Sequence, residues 1–134
     1  MLAIRGAVPA LLAAFFLTGQ PAKAVGLGPM KAEGATLSPR KGFYLTVMNP
    51  YDEQQKFRLD ALAWASEAGE TAIDILPASA VLGPGQRRRV LVIFNNLEKG
   101  EERRARVCAR LDRSLEGVAI DARVCSKLIA RRKS

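Results

Sequence analysis

Residues 117–132 read GVAIDARVCSKLIARR. The run alternates: Val118, Ile120, Ala122 and Val124 fall on one side, Ala119, Asp121, Arg123 and Cys125 on the other. Period two over this length predicts a β-strand whose one face is apolar. The strand carries the second of only two cysteines and ends in a basic cluster, Arg131-Arg132-Lys133. If it closes the fold, the rest of the chain must supply a sheet to receive it.

Working backwards, Glu116-Gly117 is a turn signal, and residues 103–111 alternate again. There Ala105, Val107, Ala109 and Leu111 oppose Arg104, Arg106, Cys108 and Arg110. A hairpin about Glu116-Gly117 sets Cys108 directly across from Cys125. Such cross-strand positions are near enough to bridge. The same register sets Arg110 against Arg123 and Asp112 against Asp121, and like charges directly opposed are unfavourable. A longer loop with a shifted register would relieve them, so two registers stay open.

Further strands are expected upstream. Residues 25–33 hold Gly26, Gly28 and Pro29 and predict an edge or interrupted strand. Phe43, Leu45 and Val47 share a face in residues 43–48, which Asn49-Pro50 ends in a turn. Residues 55–64 alternate around Phe57 and Leu59, then become wholly apolar up to Trp64, which predicts burial on both faces or a bulge. Residues 71–75 and 76–82 are short strands, the second interrupted by Pro77. After the turn Gly83-Pro84-Gly85, residues 87–94 carry Val90, Val92 and Phe94 on one face and Leu91 and Ile93 on the other, as a central strand would. Residues 61–72 also admit a helix, against which stand Gly69 and the β-branched Thr71 and Ile73. Turn signals about every ten residues predict an all-β, immunoglobulin-like antiparallel β-sandwich of seven to eight strands in a single domain.

Residues 1–24 stand apart. Arg5 precedes an apolar run over residues 7–17, and Ala22-Lys23-Ala24 has the small-x-small form of a signal-peptidase site. The apolar run is too short for a permanent span. A cleaved signal peptide (1–24) and an exported domain (25–134) are therefore expected, with the mature chain in the periplasm and not embedded in a membrane. The full chain has 21 basic and 13 acidic side chains and no histidine. Cleavage removes Arg5 and Lys23, taking the net charge from +8 to +6. Without histidine, a His-based catalytic dyad or a Cys/His metal centre is excluded. No nucleophile lies beside a base, so no enzyme activity, cofactor or metal is expected. Export makes a Cys108–Cys125 disulfide the expected state of the two cysteines.

The runs FYLTVMNP (43–50), FRLDALAW (57–64) and PASAVLGPGQRRRVLV (77–92) resemble the N-terminal domain of periplasmic pilus-assembly chaperones, which are two-domain, immunoglobulin-like, donor-strand proteins. The resemblance covers residues 25–131. It implies that Val118, Ile120, Ala122 and Val124 are lent to an incomplete pilus or fimbrial subunit by β-strand addition. It also implies that Lys127 and Lys31 hold the subunit's terminal carboxylate. Lys31 falls where the family has arginine, and lysine lacks the bidentate fork. One branch of the family bridges its last two strands as Cys108 and Cys125 would. The chain departs from the family in ending near the start of the second domain, and Ala122 is small for a pocket-filling residue.

Three readings follow. The first is a chaperone or assembly factor for surface fibres, with pilus subunits and an outer-membrane usher as candidate partners. The second is a structural or adhesive immunoglobulin-like module, for which the alternating row is ordinary core or a surface for self-association. The third is polyanion binding through Arg87-Arg88-Arg89, the arginines of 103–110 and the C-terminal cluster. Export and the lack of interleaved aromatics argue against a nucleic acid partner.

Overall fold

The computed structural model describes residues 25–112 and 122–134. These carry nine strands: β1 (Gly26–Gly28), β2 (Lys31–Thr36), β3 (Lys41–Met48), β4 (Gln55–Ala63), β5 (Ile73–Leu76), β6 (Ser79–Leu82), β7 (Arg87–Phe94), β8 (Glu102–Leu111) and β9 (Arg123–Arg132). They form two packed sheets, ordered β1-β3-β7-β5 and β2-β9-β8-β4-β6.

The alternation builds the core between the sheets. Phe43, Leu45 and Val47 of β3 and Val90, Val92 and Phe94 of β7 turn inward. They meet Phe57 and Leu59 of β4, Ala105, Val107 and Ala109 of β8, and Leu128 and Ala130 of β9. β7 is central in its sheet, between β3 and β5, and its outward Leu91 and Ile93 are half-buried. The wholly apolar end of β4 has a different explanation from burial on both faces. Leu62 is covered by the following loop through its bridge to Gly69, whereas Trp64 stays half-exposed on the outer surface.

The architecture departs from the sequence reading in two details. The first segment is not one interrupted strand but two, because the chain crosses from one sheet to the other at Gly28-Pro29. It crosses again at Leu76-Pro77, between β5 and β6. Proline has no N–H to continue a ladder, so a crossing there sacrifices no main-chain bond. This gives nine strands where seven to eight were expected. The second detail is that β2, having crossed, runs parallel to β9, while every other pair is antiparallel. Residues 61–72 form no helix: β4 continues to Ala63 and β5 begins at Ile73.

Cys108 and Cys125 are directly opposed on β8 and β9 and joined, with Cα atoms 3.9 Å apart. The unshifted register therefore holds. It does set Arg110 against Arg123, but carboxylates from outside the hairpin accept both charges. Asp60 of β4 lies 3.5 Å from Arg110, and Glu67 of the β4–β5 loop bonds Arg123. The bridge spans 17 positions, which in a chain-entropy description is worth about 3 kcal/mol. Asp121 and the Glu116-Gly117 turn lie outside the described residues, as does the expected signal peptide.

Candidate strand-addition edge and anion site

The candidate site is the outer edge and outer face of β9. One edge of β9 pairs with β8 along the whole strand. The other pairs with β2 only from Lys127 onward. At the point where cover begins, the Lys127 N–H donates to Met30 O at 2.9 Å and the Ser126 hydroxyl donates to Pro29 O at 2.6 Å. Main-chain groups alternate sides along a strand, so those of Cys125 point the same way as those of Lys127. There, among the described residues, no strand pairs with them. A stretch of sheet edge with unpaired main-chain groups is a ready template for a strand from another chain.

Of the four residues expected to be donated, Val118 and Ile120 lie outside the described residues. Ala122 is exposed, and Val124 packs partly against the core cluster. Val124 lies on the inward row that continues through Ser126, Leu128 and Ala130, whereas Ala122 precedes the strand.

Lys31 and Lys127 are brought together. They are direct partners in the β2–β9 register, side by side on the outer face. Arg106 of β8 is the next partner in the row, so three cations cross three neighbouring strands. Their surroundings differ. Lys31 is 3.7 Å from Glu33, and Arg106 is 3.6 Å from Glu67 and donates to Ala63 O and Ser66 O. Among the described residues, no carboxylate lies within ion-pair distance of Lys127. Its ammonium instead sits over the Trp64 ring, 5.3 Å from the centroid, and the Arg104 guanidinium lies 5.6 Å from the same centroid. Neither Trp64 nor Arg104 was picked out for this site by the sequence, because their approach to Lys127 depends on β4, β8 and β9 being neighbours.

Elsewhere on the outer face, arginines pair with carboxylates on their own or a neighbouring strand. Arg131 donates to Glu102 at 2.7 Å and lies 3.5 Å from Glu33, and Arg104 donates to Glu102 at 3.1 Å. Hydrogen bonds from Arg131 and Arg104 hold the Glu102 carboxyl below its ordinary value, and the matching bond to Glu102 raises Arg131. Glu67 is lowered chiefly by its bond from Arg123, with Arg106 adding to it. Depressed carboxylates stabilise the fold above their unfolded-state values, and this contribution fades as pH falls through the folded-state values. The thermal midpoint is therefore expected to decline as pH is lowered through the range of about 4.5 and below. Glu67→Gln should make that decline shallower, as should high salt. Melting curves across this range check it; parallel curves for wild type and variant would count against the Glu67 clamp. The arginines of β8 and β9 named here are thus occupied by carboxylates, which weakens the polyanion reading for that cluster.

No protein-family profile matches the sequence, and no curated protein matches it. Solved structures do. The E. coli chaperone DraB matches at a TM-score of 0.65 and 19% identity, over 81% of this chain and 55% of that one. The Salmonella enterica complex of the SafA pilin with the SafB chaperone matches at 0.65 and 18%, over 87% and 58%. The PapD-like domain of human CEP192 matches at 0.65 and 16%, over 100% of this chain and 99% of that domain. The fold is thus a PapD-like, immunoglobulin-like β-sandwich. The chain spans somewhat over half the length of the fimbrial chaperones it matches and the full length of the CEP192 domain. Among the described residues, no helix is long and apolar enough to cross a membrane.

Proposed function

We propose that the chain is an exported chaperone or assembly factor for surface-fibre subunits, working in the periplasm after removal of residues 1–24. It binds an incomplete subunit by β-strand addition along β9 and the residues before it. Val118, Ile120, Ala122 and Val124 offer alternate side chains to the partner's groove, and Lys31 and Lys127 take its terminal carboxylate. The observation that carries this reading is the meeting of the two lysines in register at the point where β2 ceases to cover the edge of β9. An incoming strand would pair with the open edge and end beside the two cations. The chaperone–pilin complex among the structural neighbours supports a protein partner of this kind. An usher, or a second copy docking through the same strand, would be a further partner.

The second reading, a structural or adhesive module, draws support from the CEP192 domain, whose match covers 100% of this chain and 99% of that domain. A capture experiment from the periplasm separates the two, comparing the wild-type chain with Ile120→Asp and Lys127→Met. Strand donation predicts that partner recovery falls about tenfold or more with Ile120→Asp, which puts a charge in an apolar groove. It predicts a smaller loss with Lys127→Met. Equal recovery of the same partners with all three chains would refute it.

A further inference from the structure

We propose that Trp64 is a positioning residue for the carboxylate anchor, holding Lys127 in place without neutralising it. This rests on the carboxylate-anchor reading above and deepens it. A lysine ammonium has a long flexible stem, and fixing it takes a partner. On this face the usual partner is a carboxylate: Glu33 for Lys31, Glu102 for Arg104 and Arg131, Glu67 for Arg106 and Arg123. A carboxylate fixes a cation and also spends its charge, so an incoming anion would have to displace it. The aromatic face attracts the ammonium through its quadrupole and leaves the full positive charge for a ligand.

The geometry supports this division of labour. Trp64 follows β4, which is separated from β9 by β8 in the sheet. The indole must therefore reach across β8 to come within 5.3 Å of the Lys127 ammonium. Arg104, which lies on that intervening strand, takes up a place over the same ring, but its charge is already engaged by Glu102 at 3.1 Å. Lys127 is thus the cation of this group left to a ligand, and Lys31 is its neighbour in register. The ligand class is a carboxylate at the end of an extended chain, delivered along the open edge of β9.

The test uses the full oxidised chain and a short peptide of alternating valine and threonine, prepared with a free C-terminal carboxylate and as the C-terminal amide. In the wild type, the acid should bind about tenfold more tightly than the amide and shift the Lys127 side-chain carbon resonance. Trp64→Leu should weaken the acid about three- to tenfold and leave the amide unchanged, while Trp64→Phe should restore much of the difference. If Trp64→Leu weakens acid and amide alike, or neither, the positioning role is overturned while the anchor stands. If the wild type does not prefer the acid, or Lys127→Met keeps the preference, the anchor reading fails and this inference with it.

Discussion

Replacing Phe94 with alanine is expected to destabilise the domain by about 4 kcal/mol. Phe94 is fully buried at the end of β7, and its ring meets Phe43 edge-on, with centroids 5.5 Å apart. Its neighbours in register are Lys41 on β3 and Ile73 on β5, so the backbone on both sides is tied into the sheet. A void opened there has little freedom to collapse, and poorly relaxing sites give the upper end of the large-to-small range. The loss should appear as a lower urea midpoint with an unchanged slope, and as a fall in thermal midpoint of roughly 20 °C. Val81→Ala serves as the control, because that side chain is 56% exposed and its truncation should cost under about 0.5 kcal/mol. A loss for Phe94→Ala below about 2 kcal/mol would show that the two sheets close over the gap, and that the core is less constrained than its register implies.

Much of this framework was legible in the sequence for a physical reason. A strand with one face on a core must alternate, and Phe43-Leu45-Val47, Val90-Val92-Phe94 and Ala105-Val107-Ala109 do. The cysteines added a register mark. Their direct opposition was one of the two registers that the sequence left open, and the structure adopts it in spite of Arg110 facing Arg123. What alternation does not encode is which strands become neighbours. Asp60 and Glu67 resolve the arginine conflict only because β4 lies beside β8. Likewise, Pro29 marked an interruption in the first segment but not a change of sheet. That change is what carries Lys31 to the far edge, parallel to the last strand and beside Lys127. The pairing of these lysines was suggested by a resemblance, not by periodicity. The Trp64 ring over Lys127 was suggested by neither, since it joins residues from strands that are not neighbours, with β8 between them in sheet order.

The second large effect is expected at Asn49, a residue that in sequence marked only the end of a strand. It is fully buried. Its amide nitrogen donates to three carbonyls, Leu82 O at 2.8 Å, Glu53 O at 2.9 Å and Gly83 O at 3.1 Å, while its side-chain oxygen accepts the Tyr51 N–H at 2.8 Å. Its main chain joins the same region: its N–H donates to Gln86 O, and its carbonyl accepts from Gly85, a glycine at φ 73°. Asn49 thus pins the β3–β4 connection to the β6–β7 turn, so MNP and LGPGQ, far apart in the chain, form one hydrogen-bonded unit. Asn49→Leu keeps the volume and removes every one of these side-chain bonds. The Leu82 bond is buried and the others only partly so, and water will recover some of them; a loss of about 3–4 kcal/mol in urea denaturation is expected. Asn49→Asp keeps the acceptor for Tyr51 but turns a carboxylate oxygen toward the three carbonyls from a fully buried position. Its deficit at neutral pH should match or exceed that of the leucine variant. It should narrow on acidification, because protonation restores one donor, while the wild-type domain weakens over the same range as its depressed carboxylates are titrated. Denaturation midpoints of the three proteins along one pH series check both signs. A leucine variant within about 1 kcal/mol of wild type, or an aspartate deficit that does not narrow in acid, would remove Asn49 from the role of staple.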